Sequence, residues 1–387
     1  MMRQLWKILL EEHRVLWKRP VPPVLFFLTP IVFCLVFGLL YQENTLRHIP
    51  LAICDLDQSV LSRSLIQVYA DSERFDVLFY PSTQEEMEEL LRNGRAKAGL
   101  EIPKDFSKRI KLSQDTEIAI LVNSANNFFG NSAMSAVQEN NRTFSLGVAQ
   151  KLLQGMGILP KNAAEAVYPI HIGARILRNP TTGYTPFMLS GIMLHGLQMA
   201  LLVTVAPLLA ALCAQGMNGG EGHPAWMLLV GKAIPYWCAG LAAYAISLFV
   251  LVHLWAIPLR GELWQLLLLG GCFLFAVIGV LYLVSSISPD EIMAVQGPLL
   301  YIMPGLLFSG LSWPLFSMEG FARWYAGTMP ITYTADSLRD LMLAGYAPAF
   351  WENLSTLLLM GTVAGIFALG AFSFRRHRKR ATKEMSL

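Results

Sequence analysis

The chain has 387 residues, of which 54% are hydrophobic and only 15% are charged. Mean hydropathy is +0.45. A soluble domain carries roughly 25% charged residues, so this composition excludes a purely aqueous surface. The net charge of +3 is too small to argue for a nucleic-acid partner.

Residues 1–20 predict an amphipathic helix lying in a membrane interface. At 3.6 residues per turn, Leu5, Trp6, Leu9, Leu10, His13, Leu16 and Trp17 share one face, and Lys7, Glu11, Arg14 and Lys18 share the other. The run Arg19-Pro20-Val-Pro-Pro then breaks the chain and turns it into the bilayer. The first apolar span follows within residues 21–41. It reads as a retained anchor, because the flank Gly38-Leu-Leu-Tyr-Gln42 lacks the small-residue pattern of a cleavage site.

Residues 42–182 are polar and nearly charge-balanced, with fifteen Lys/Arg against sixteen Asp/Glu. Leu51–Asp55, Phe75–Tyr80, Ala98–Ile102 and Glu117–Val122 read as strands. Helices are predicted from Asp57 or Ser59, as a cap, to Tyr69, and over Thr83–Arg92, Lys104–Leu112 and roughly Asn131–Gly155. This alternation predicts a small α/β domain inserted between the first two spans. No catalytic pattern emerges from it. Asp57 sits where a helix cap belongs, Glu85, Glu86, Glu88 and Glu89 form a solvated face, and His48 and His171 lack companions at metal-ligand spacing.

Residues 183–374 supply five further apolar stretches, at 187–213, 228–257, 263–288, 292–312 and 354–374. A hydrocarbon core about 30 Å thick needs about 20 residues of helix, so the fold class is an α-helical polytopic membrane protein of six transmembrane helices with an inserted extracytoplasmic α/β domain. The stretch 292–312 contains Pro298 and Pro304 but no charged residue. Between the last two spans, 313–353 reads as a re-entrant or interfacial outer segment. Arg3, Lys7, Arg14, Lys18 and Arg19 precede the first span. Arg375, Arg376, Arg378, Lys379, Arg380 and Lys383, in the basic tail 375–387, follow the last. The positive-inside rule places both termini in the cytoplasm and requires an even number of crossings.

Three local patterns resemble the permease subunits of bacterial ABC-2 type exporters. They are Val230-Gly-Lys-Ala-Ile-Pro-Tyr236, Ser285-Ser-Ile-Ser-Pro-Asp-Glu-Ile-Met-Ala-Val-Gln296, and Phe308-Ser-Gly-Leu-Ser-Trp-Pro-Leu315 followed by Pro330-Ile-Thr-Tyr333 and Ser337-Leu-Arg339. With the overall layout, the resemblance covers essentially the whole chain. It implies a bacterial inner-membrane subunit that pairs with a separate ABC ATPase and with a second permease copy or a sister permease. A periplasmic adaptor is a further partner the family suggests. The substrate would be amphiphilic or drug-like, as in multidrug efflux. ATP and Mg would be bound by the partner ATPase, leaving no cofactor in this chain. Many relatives carry a charged segment between spans two and three. Here Ala214-Gln-Gly-Met-Asn-Gly-Gly-Glu-Gly-His-Pro224 offers only Glu221. The surfaces expected to couple to the ATPase are therefore Lys7, Glu11 and Arg14 on the first helix, together with Glu221, Asp290 and Glu291.

No G-x-x-x-x-G-K-[ST] sequence is present; Gly231-Lys232 lacks the upstream spacing and the hydroxyl residue. A transport subunit without its own ATPase motif, rather than an enzyme, is the expectation. Polar groups within spans are costly to bury and so are candidates for the substrate path: His195, Gln198 and His253. Lys232, at the start of its span, reads as a snorkelling anchor. Phe321, Trp324 and Tyr325, with Asp336, Arg339 and Asp340, are candidates for shielding an outer gate. An ion-gradient-driven secondary transporter is the first alternative, disfavoured because no span holds a carboxylate and no internal repeat is visible. The second is a non-transporting scaffold or receptor displaying the outer domain. Of five cysteines, Cys54 alone lies in the polar region, so no structural disulfide is expected.

Overall fold

The computed structural model describes residues 2–18, 20–42, 46–112, 114–123, 127–162, 183–214 and 223–385. They fall into two compact units, one of residues 1–44 with 176–387 and the other of residues 45–175.

The first unit is helical. Helix α1 (Met2–Lys18) precedes α2 (Val21–Leu40), which begins with prolines inside its first turn, where a missing N–H costs nothing. Among the described residues, six helices or helix pairs are long and apolar enough to cross a membrane: Val21–Leu40, Tyr184–Leu212, Ala225–Leu254, Leu263–Ile287, Glu291–Phe308 and Phe350–Arg378. The chain is thus a multi-pass membrane protein. Two of the spans are interrupted. The second consists of α7 (Tyr184–Val205) and α8 (Pro207–Ala214), because Pro207 cannot donate to the preceding turn. The N–H of Ala210 instead donates to the hydroxyl of Ser285 at 3.1 Å. The fifth consists of α11 (Glu291–Ile302) and α12 (Gly305–Phe308), parted at Met303-Pro304.

The third span is α9 (Ala225–Leu254), the fourth α10 (Leu263–Ile287), and the last lies in α15 (Phe350–Met385). Between the fifth and last spans come α13 (Gly320–Gly327) and α14 (Pro330–Ala344). Helix α14 packs into the bundle against α7, α10 and α15, burying Ile331, Ala335, Leu338 and Leu341. In α13, Phe321 and Trp324 are exposed, whereas α14 is buried within the helical bundle.

The most extensive helix pair is α10 with α15, and glycine makes it possible. A Cβ at Gly279 would stand 2.7 Å from the carbonyl oxygen of Gly361. Small residues at such crossings let backbones approach in the absence of a hydrophobic drive between helices. Gly279→Ala is therefore expected to cost about 1–3 kcal/mol by overpacking, read as a lowered unfolding temperature in detergent. Gly365→Ala, where nothing lies within 4 Å, should leave that temperature unchanged.

The second unit contains a four-stranded sheet in the order β2-β1-β3-β4. Strands β1 (Ile49–Asp55), β2 (Phe75–Phe79) and β3 (Ala98–Ile102) are parallel, and β4 (Ala119–Val122) is antiparallel to β3. Alternation along β1 sends Ile49, Leu51 and Ile53 to one face, with Leu65, Tyr69, Phe106 and Val137. It sends Ala52 and Cys54 to the other, with Met87 and Leu91. Leu65 and Tyr69 belong to α3 (Val60–Ala70), Met87 and Leu91 to α4 (Gln84–Arg92), Phe106 to α5 (Phe106–Lys111), and Val137 to α6 (Asn127–Gly155). The α5 helix and β4 strand are shorter than expected, since Asp105 adopts a left-handed conformation before one and residues 114–118 are irregular before the other.

Capping differs from the sequence expectation in one respect. Ser59, in a reciprocal box with Ser62, caps α3. Asp57 instead accepts from the N–H of Ser107, at 3.2 Å, in the first turn of α5. Asp55 closes the loop by accepting from the N–H groups of Asp57 and Gln58 and from the Ser62 hydroxyl. These carboxylates are thus engaged in organising the ends of helices. His48 pairs with Asp76 at 3.1 Å on the exposed surface, and no cluster of metal-ligating residues occurs among the described residues. His171 lies outside them. Cys34, Cys54, Cys238 and Cys272 are free thiols, and burial next to Glu101 pushes the Cys54 thiol up.

Candidate functional site

Helix α1 joins the membrane unit through a stripe the sequence reading did not isolate. Ile8, Glu12 and Leu16, spaced four apart, are buried against the start of α9. Close approach is allowed by Gly231, where a Cβ would stand 2.8 Å from Cγ2 of Ile8. Of the predicted apolar face, Trp6, Leu10 and Trp17 are exposed, whereas Leu16 is buried.

Glu12 is the centre of this contact. Its Oε2 accepts from Nζ of Lys232, and its Oε1 accepts from the Tyr236 hydroxyl at 3.1 Å. Side-chain exposures are 6% for Glu12 and 18% for Lys232. Lys232 and Tyr236 are one turn apart on α9, so they present one face to a single carboxylate. Lys232, read from the sequence as a snorkelling anchor, thus has its ammonium paired with Glu12 of α1 and mostly buried. A buried charge of either sign needs such a partner, because desolvating an isolated ion is prohibitive. The available sequence signal was a carboxylate in line with Ile8 and Leu16, which resembles an ordinary solvated residue on an amphipathic helix.

At the same end of the bundle, Arg375 donates to the carbonyls of Ser286 (2.8 Å) and Ser288 (2.6 Å). A cation there satisfies carbonyls at the end of α10 that have no partner within the helix. Arg376 donates to the carbonyl of His223 at 2.6 Å. These two members of the terminal basic cluster thus tie the last helix to its neighbours. Lys7, Glu11, Arg14 and Glu291 are exposed. Asp290 is also exposed, and its carboxylate caps α11 by accepting from the N–H of Met293 at 2.8 Å. Glu221 lies outside the described residues.

The substrate-path candidates separate into two places. His195 and Gln198 sit within α7, 6% and 2% exposed. The Nδ1 of His195 and the Oε1 of Gln198 have no hydrogen-bond partner among the described residues. The His195 ring lies 6.1 Å from that of Phe33 in α2. His253 is elsewhere, exposed at the far end of α9. It stacks on Phe249 at 3.9 Å, and its Nδ1 lies 3.0 Å from that residue's carbonyl oxygen.

The gate candidates also divide. Trp324 is exposed, whereas Tyr325 ties α13 to the fifth span, donating to the carbonyl of Tyr301 at 3.0 Å. The Tyr301 hydroxyl in turn donates to the carbonyl of Thr328. On α14, Arg339 pairs with Asp336 at 3.3 Å and lies 5.1 Å above the ring of Phe187. Nearby, Asn353 donates to the Ser337 hydroxyl at 2.8 Å.

A family model described as ABC-2 family transporter protein matches residues 24–370. The probable multidrug ABC transporter permease YbhR of Escherichia coli (strain K12) is 21% identical over 385 residues, covering 96% of this chain and 99% of that protein. The probable multidrug ABC transporter permease YbhS of the same strain is 31% identical over 122 residues, 31% of this chain and 32% of that protein. The inner membrane transport permease YhhJ of that strain is 23% identical over 373 residues, with 90% and 92% covered.

Proposed function

Since the chain belongs to the ABC-2 family of transporter proteins, we propose that it is the membrane permease subunit of an ATP-driven exporter in a bacterial inner membrane. A separate ATPase binds ATP and Mg, and a second copy or a sister permease completes the path. Both termini and residues 214–227 are cytoplasmic in this reading, and residues 42–182 form an extracytoplasmic α/β domain. An amphiphilic or drug-like substrate fits the likeness to YbhR, a probable multidrug ABC transporter permease.

The observation that carries the reading is the Glu12 clasp. It fastens α1 to the third span while leaving Lys7, Glu11 and Arg14 exposed. A partner that pushes on those charges moves the span rather than a detached anchor. Glu291, at the start of the fifth span, and Glu221 offer further contact. The catalytic work is the ATPase's. This chain's part is to convert its closure into helix movement around His195 and Gln198.

The test is co-expression with the partner ATPase. The purified permease alone should hydrolyse no ATP, and the assembled complex should do so with stimulation by substrate. Glu11→Lys, Glu221→Lys and Glu291→Lys should each reduce recovery of the ATPase in a pull-down at matched expression. Such exposed substitutions usually cost under about 0.5 kcal/mol of stability. Undiminished association in all three variants would remove the coupling role from these charges, and a terminus labelled from outside the cell would overturn the topology.

A further inference from the structure

A cavity of about 580 Å³ opens within the helical unit, at the end of the bundle opposite α1. Its apolar wall includes Phe187, Leu311, Leu315 and Phe316, and its polar wall includes Ser309, Asp336 and Arg339. The volume falls in the usual range for small-molecule sites, roughly 300–1,000 Å³.

The charges in it are unevenly placed. The Arg339 side chain is 20% exposed and that of Asp336 is 44% exposed. A guanidinium has five N–H donors. Here one bond reaches Asp336, at 3.3 Å, and the face of the group rests on Phe187. Its remaining donors line the cavity wall with no other hydrogen-bond acceptor among the described residues. Ser309 is 2% exposed, and its hydroxyl has no partner among the described residues. The cavity therefore offers more donors than Asp336 takes up, set beside apolar surface.

We propose that this cavity binds an amphiphile with an anionic head group, a phosphate or carboxylate, held by Arg339 with Ser309 and seated against Phe187 and Leu315. Asp336 then acts as the competing internal acceptor that the head group displaces. Planar guanidinium groups bind such oxyanions through paired hydrogen bonds, and these are stronger than neutral ones. The proposal is independent of the coupling reading, since it is tested on the permease alone.

The probe is dodecyl phosphate, titrated into the full-length permease in dodecyl maltoside and followed by thermophoresis. Inorganic phosphate and dodecyltrimethylammonium serve as controls. Saturable binding of dodecyl phosphate is expected, with neither control binding in the same range. Arg339→Gln should weaken it about tenfold or more, in line with a lost charge-assisted bond. Asp336→Asn should tighten it severalfold, an effect that damage to the fold would not produce. Phosphatidylglycerol added to the same micelles separates the sources. Displacement of the probe assigns the cavity to a bilayer lipid, and no displacement assigns it to a single-chain amphiphile. Equal binding of the ammonium probe, or unchanged affinity in both variants, would overturn the proposal.

Discussion

Lys232→Met is expected to lower the stability of the helical unit by about 3–5 kcal/mol, because it leaves the Glu12 carboxylate buried without its cation. Glu12 is almost inaccessible, and after the substitution the Tyr236 hydroxyl would be its remaining hydrogen-bond partner among the described residues. Glu12→Met should cost less than this, since an ammonium on a long stem can withdraw toward water. The double variant should recover most of the loss, because two apolar side chains of similar length replace two charges. A difference of about 1 kcal/mol would remain for the lost Tyr236–Glu12 hydrogen bond. Unfolding in detergent, followed by tryptophan fluorescence, gives the cycle directly. Single-variant costs that simply add in the double would mean the two groups do not interact. ATPase-coupled export should fail in both single variants even where the protein remains folded.

His195→Leu is expected to act in the opposite direction on stability. Its Nδ1 is buried without an acceptor or donor among the described residues, and an unsatisfied buried polar atom costs about 1–3 kcal/mol. Leucine should therefore raise the unfolding temperature of the permease while lowering export several-fold, as follows if the polar group is kept for passage rather than packing. Gln198→Leu should behave alike. A destabilised His195→Leu variant would identify the ring as a packing element, and a stabilised variant with undiminished export would remove it from the path. The comparison needs both measurements on the same preparation, since either alone fits more than one role.

Much of this architecture is legible in the sequence because the bilayer imposes it. A stretch such as Leu263–Ile287 has few alternatives to a spanning helix, and the charge-free run around Pro298 supplies a fifth span despite its prolines. Likewise the alternation around Leu51-Ala-Ile-Cys-Asp55 fixes a strand with two covered faces. The order of the sheet, and the antiparallel placing of β4, depend on pairings distant in sequence that no local pattern encodes. The contacts of the candidate site were harder for the same reason. Glu12 and Lys232 are 220 residues apart; locally one reads as a solvated helix charge and the other as a snorkelling anchor. The cavity at Arg339 is assembled from Phe187, the 309–316 turn and α14, so its lining cannot be seen in any one segment. Asp57 was legible as a cap, but the helix it caps was not the adjacent one.

The interruption of the second span at Pro207 bears on how force travels. A continuous helix behaves as a stiff rod, so that torque applied at one tip rotates the other. Here the ladder lacks a rung, and the short α8 segment is moored sideways to the fourth span through Ala210 and Ser285. A twist entering at the loop end of the span is therefore shared with α10, while α7, gripped along its length by α2, can keep its own azimuth. The span works as a jointed linkage, with His195 and Gln198 on the member beyond the joint.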